Sequence, residues 1–107
     1  MTGVQTCALP IYAQVFAGQA KTWLRHGDLL VAISGSGNSP NVLAAVEAAH
    51  ECGATTLGWS GFDGGRLAGL VQHKIVVRVD NMQMVEDAHM VIGHLIYSAL
   101  RDRVLGE

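Results

Sequence analysis

The sequence predicts an α/β fold, a partial doubly wound parallel sheet of three strands with flanking helices. Three observations carry that prediction. Apolar residues alternate between short continuous runs and stripes at helical spacing, in the order helix, then strand and helix three times over. The connections are short, which for strand–helix–strand units means parallel strands and right-handed crossovers. A Gly/Ser cluster directly follows the first apolar run, as expected where a buried strand turns into a helix.

Each element has its own signal. Residues 13–25 set Val15, Ala17, Ala20 and Leu24 at roughly helical spacing, and His26-Gly27-Asp28 turns the chain. Residues 29–33 (LLVAI) form a run suited to a strand buried on both faces. Ser39 then serves as N-cap and Pro40 as first helical residue, where its missing N–H costs nothing. Val42, Leu43, Val46 and Ala49 make that helix's apolar stripe, and Gly53 lies just past its end. A second strand is expected over 54–59, followed by the loop SGFDGG, in which Asp63-Gly64-Gly65 shapes the turn and the next helix start. A short helix carries Leu67, Ala68, Leu70 and Val71. The β-branched stretch KIVVRV, residues 74–79, reads as the third strand. The last helix runs from about Met82 to Val104 and carries Met82, Val85, Met90, Ile92, Leu95, Ile96 and Leu100. Gly93 interrupts it at a cost of ~1 kcal/mol against Ala, so a packing reason is expected there. With three strands only, the first is left as an exposed apolar edge.

Composition narrows the function. The chain has 107 residues, enough for a single domain, and 50% are hydrophobic, which excludes a disordered chain. A formal charge of −2 gives no basic footprint for direct binding of nucleic acid. Residues 1–11 (MTGVQTCALPI) lack the pattern of a signal peptide and are too short and polar for a membrane span. They resemble the in-frame translation of a short-read sequencing adapter, the alternative being a native coil. The native part is then expected over 12–107, as the C-terminal part of a domain that continued upstream. Setting Cys7 aside with that segment leaves Cys52 as a lone packing thiol, which points to a reducing, cytoplasmic setting.

Two groups of residues can carry chemistry. Ser34-Gly35-Ser36-Gly37-Asn38-Ser39 lies between a buried strand and a capped helix, where parallel sheets bind ligands. Small residues let backbone N–H groups converge, and the helix N-terminus adds its positive end. A phosphate suits that arrangement, against the plain reading of a Ser- and Gly-rich turn. Rival motifs fail: a dinucleotide fingerprint needs Gly where Pro40 stands, and a Walker loop needs a Lys that is absent. The second group is Glu86-Asp87-Ala88-His89 with His94 on the last helix. At ~100° per residue Glu86 and His94 fall about 80° apart, on adjoining faces. Such a helix can supply metal ligands or an acid–base His, although polar residues on a wet face explain it more simply. His26, His50 and His73 stand near turns or helix ends and are expected to face solvent.

The stretches GDLLVAISGSGNSPNVLAAVEAA, SGFDGGRLAGL and VEDAHMVIGHLI, in that order, resemble the sugar isomerase (SIS) domain family, in its phosphoheptose isomerase branch. The resemblance covers Tyr12 to about Val104. It implies that Ser34, Gly35, Ser36, Gly37, Asn38 and Ser39 bind the phosphate of a sugar phosphate, with a backbone N–H at Gly35 where relatives often carry a hydroxyl. It implies a proton-transfer role for His94. Glu86 stands where some members have a Gln that joins a zinc site, so Glu86 and His94 are expected to hold zinc only together with the upstream half. The implied reaction is an aldose–ketose isomerisation of sedoheptulose 7-phosphate to a manno-heptose 7-phosphate through an enediol(ate). The family's catalytic Glu belongs to the upstream half, so this chain alone is expected to be inactive, and its intact parent to be a homo-oligomer. The alternatives are a non-catalytic SIS module that senses a phosphosugar or partners replication initiation, and an α/β domain whose serine loop binds nothing.

Overall fold

In the computed structural model, residues 12–106 are described, and the segment 1–11 lies outside them. The elements are α1 (Val15–Trp23), β1 (Leu29–Ile33), α2 (Pro40–Glu51), β2 (Thr55–Gly61), α3 (Gly65–Leu70), β3 (His73–Val77) and α4 (Met82–Leu105). The strands form one sheet in the order β1-β2-β3, both pairings parallel, with Leu29 opposite Thr55 and Leu57 opposite His73.

Side-chain alternation along the strands distributes the helices over both faces. On one face Ala32 packs with Leu43 and Val46 of α2 and Leu67 of α3, flanked by Leu30, Val42, Leu70 and Val71. Gly58, paired with Ala32, faces Leu67 and Val71. Trp59, one residue on, faces α4 from the opposite side, its ring toward Gly93. α1 packs outside α2, where Ala17 and Ala20 meet Ala48. Small side chains at that contact let the two helices approach closely.

Most predicted bounds agree with the structure, and the departures have physical causes. β2 runs on to Gly61 because Ser60 and Gly61 pair with Val76 and Val77. β3 covers 73–77 rather than 74–79, and the chain turns at once, with Val79 N–H on Val77 O at 2.8 Å. β1 is the exposed edge expected of it, with Leu29, Val31 and Ile33 all on the surface. Burial along α4 is uneven: Val85 is buried, whereas Met90, Leu95 and Leu100 are 63%, 64% and 57% exposed. A 24-residue helix spans roughly 36 Å, whereas strands of five to seven residues offer roughly 17–23 Å of sheet to cover. No helix among the described residues is long and apolar enough to cross a membrane.

Candidate functional site

The serine loop begins where β1 stops pairing. Ser34 N–H still reaches Trp59 O at 3.0 Å, and the chain then folds back so that Gly37 N–H meets Ser34 O at 3.0 Å. Gly37 holds a φ of 75°, and a Cβ there would lie 2.2 Å from Gly64 O. Only glycine allows that approach. It brings the loop against the start of α3, where Gly37 O accepts from Leu67 N–H at 2.8 Å and Asn38 Oδ1 accepts from Arg66 N–H at 2.9 Å.

The six residues do different work. Ser34 is 5% exposed, and its hydroxyl accepts from Gly37 N–H and donates to Ser39 Oγ, both at 3.1 Å. Ser36 Oγ accepts from Asn38 N–H at 3.1 Å and keeps its own hydrogen free. Ser39 stands at the N-cap of α2 as expected, but its hydroxyl makes no capping bond and instead accepts from Ser34. Its carbonyl takes the Val42 and Leu43 N–H groups instead, and Asn41 Oδ1 assists at Val42. The backbone N–H groups of Gly35, Ser36, Ser39 and Asn41 make no hydrogen bond among the described residues. Those four donors, with the Ser36 and Ser39 hydroxyls, are what the loop can offer an anion beside the first turn of α2.

Next to the loop a cleft of about 330 Å³ is lined by Ser36, Asn38, Phe62, Asp63, Asp80 and Met82. Asp63 closes the turn as expected, its Oδ1 accepting from Gly65 N–H at 2.9 Å. Phe62 carried no signal in the sequence. It is the one non-glycine described residue with positive φ, 54°, in a turn closed by Gly64 N–H on Gly61 O at 2.8 Å. A bulky side chain in that region costs on the order of 1–3 kcal/mol.

On α4, Glu86 and His94 line one cavity of about 310 Å³, together with Ile33, Trp59, His89, Met90 and Gly93. The wheel arithmetic that set them on adjoining faces agrees with this. Along α4, Met82 of the first cavity is followed one turn later by Glu86 of the second, which extends on to His94. His89 departs from the wet-face reading. It is buried, and its Nε2 lies 2.9 Å from Ser60 O, which requires the ring to donate there. The bond ties α4 to the end of β2. Trp59 is buried beside it, ring centroids 6.1 Å apart, and its Nε1 has no hydrogen-bond partner among the described residues. Gly93 lies under that indole, but a Cβ there would stay 3.7 Å from the ring, ordinary contact, so the expected packing need for glycine is not met among the described residues. With His89 Nε2 engaged, Glu86 and His94 leave two donors, short of what a zinc site needs, and no group of three metal-ligating side chains occurs among the described residues.

The remaining candidates lie elsewhere. His26 and His73 are exposed, and Cys52 is a half-buried free thiol ending α2. His50 is exposed yet its Nε2 is 3.0 Å from the buried Thr56 Oγ1.

Comparison with known proteins gives a consistent result. A family model described as the SIS domain matches residues 5–61, more than half of the chain. A phosphoheptose isomerase of Desulfovibrio desulfuricans is 46% identical over 85 residues, which is 79% of this chain and 40% of that protein. One from Clostridium acetobutylicum is 34% identical over 96 residues, 90% of this chain and 49% of its own length. The solved phosphoheptose isomerase of Neisseria gonorrhoeae superposes with a TM-score of 0.81 at 33% identity, over 82% of this chain and 50% of that one. That of Francisella tularensis gives 0.76 at 31%, over 78% and 46%. The chain thus spans about half the length of the relatives it matches.

Proposed function

The chain belongs to the SIS domain family, and on that premise we propose that it carries the phosphosugar-binding part of an aldose–ketose isomerase acting on sedoheptulose 7-phosphate. The observation that carries this reading is the serine loop, with four backbone N–H groups left without partners among the described residues at the carboxyl end of β1. A phosphate accepts several such bonds at once and needs no basic side chain to be held by them. The relatives' names supply the sugar class and favour a catalytic parent over the non-catalytic alternative.

In such a reaction a base removes the proton from the carbon next to the carbonyl, and the resulting enediol(ate) is reprotonated on the neighbouring carbon. A second group moves a proton between the two oxygens. His94 takes that second role: its imidazole gives a proton to the carbonyl oxygen and accepts one from the adjacent hydroxyl. Glu86, lining the same cavity, accepts a hydrogen bond from the sugar. The carbon base belongs to the upstream half, so residues 12–107 bind without turning over. A zinc ion would act there as a Lewis acid, but the donors present do not hold it by themselves and no step is derived through it. The cytoplasm is the compartment in keeping with this substrate, and the intact parent is a homo-oligomer.

Calorimetry tests the reading. Sedoheptulose 7-phosphate binds the 107-residue chain, and Ser36→Ala weakens it roughly three- to tenfold, the net worth of one hydrogen bond. Unchanged affinity in the variant removes the loop from the site.

A further inference from the structure

We propose that Phe62 is a substrate-positioning residue, its ring lying against the carbons next to the sugar's phosphate while Asp63 and Asp80 accept that segment's hydroxyls. The inference rests on the phosphosugar reading and adds to it the wall that recognises the sugar. Phe62 sits at a turn position whose positive φ is met without strain by Gly and readily by Asn. Core packing does not account for the ring, which is half-exposed and belongs to neither hydrophobic cluster. What the inverted backbone achieves is to put an aromatic side chain on the wall of the cleft that Ser36 and Asn38 share. Strain retained at such a place points to use.

The chemistry of the cleft fits a polyol. A sugar chain offers C–H faces to an aromatic ring and O–H donors to carboxylates, and this cleft holds one aromatic ring and two carboxylates. Asp63 Oδ1 accepts from Gly65 N–H, which leaves Oδ2 open, and Asp80 makes no side-chain hydrogen bond or ion pair among the described residues. The same two carboxylates repel a phosphate from the cleft, so the phosphate end stays on the loop N–H groups and the hydroxylated chain enters. At about 330 Å³ the space lies at the small end of ligand sites and takes part of a sugar rather than a larger ligand.

The test uses the 107-residue chain with two turn-compatible replacements, Phe62→Gly and Phe62→Asn, titrated separately with sedoheptulose 7-phosphate and with inorganic phosphate. Both replacements weaken the sugar phosphate roughly tenfold, leave inorganic phosphate unchanged, and unfold at a temperature no lower than the parent chain. Full retention of sugar-phosphate affinity overturns the inference, as does an equal loss for both ligands or a lowered unfolding temperature in both variants. An unsubstituted chain that binds inorganic phosphate as tightly as the sugar phosphate overturns it too, while sparing the loop. A chain that binds neither ligand overturns the phosphosugar reading and this inference with it.

Discussion

Ser34 and Ser36 stand two residues apart in one loop, yet the fold uses them oppositely. The buried Ser34 hydroxyl bridges Gly37 N–H and Ser39 Oγ, so its loss leaves both without that partner in a closed space. Ser34→Ala is therefore expected to lower unfolding free energy by about 1–2 kcal/mol in urea denaturation, whereas Ser36→Ala changes stability by less than about 0.5 kcal/mol. Equal losses in the two variants would contradict the division of roles. That the loop is suited to an anion was legible in its composition and position. Which hydroxyls remain free was not, because the answer depends on where the chain of Asn38 and Gly37 meets α3, 28 residues away in sequence at the Asn38–Arg66 contact.

α4 separates what local chemistry specifies from what packing specifies. Its start was read near Met82, and the structure shows the local cause, Asn81 capping it with Oδ1 accepting from Met84 N–H at 3.1 Å. Its facing was not readable, since periodicity gives a stripe without saying whether a sheet lies opposite. His89 illustrates the cost: a polar letter in a polar stretch proved to be the helix's anchor to Ser60. Gly93 gives a test at this scale. A Cβ there would meet Trp59 at 3.7 Å, ordinary contact, so Gly93→Ala recovers helix propensity without a clash and stabilises the chain by up to about 1 kcal/mol in thermal or urea unfolding. Destabilisation by that single methyl would mean that the indole sits closer to α4 than described.

For the whole molecule, the covered face of the sheet is left open toward the β1 edge. α2 and α3 cover one face with a small core, while beside the β1 edge an open groove of about 420 Å³ is lined by Phe16, Trp23, Leu30, Val31, Ile33 and their neighbours. The exposed edge was predicted from strand count alone, and it agrees with a chain spanning about half the length of its relatives. Charge arithmetic also reads differently at this scale. A near-neutral chain can still hold an anion, because the donors are backbone N–H groups that no count of Lys and Arg records. The most direct test of that claim follows the amides themselves. In ¹H–¹⁵N spectra of the chain titrated with sedoheptulose 7-phosphate, the largest shifts are expected at Gly35, Ser36, Ser39 and Asn41. Saturating ligand that leaves these four amides unmoved, or moves others instead, would contradict the account.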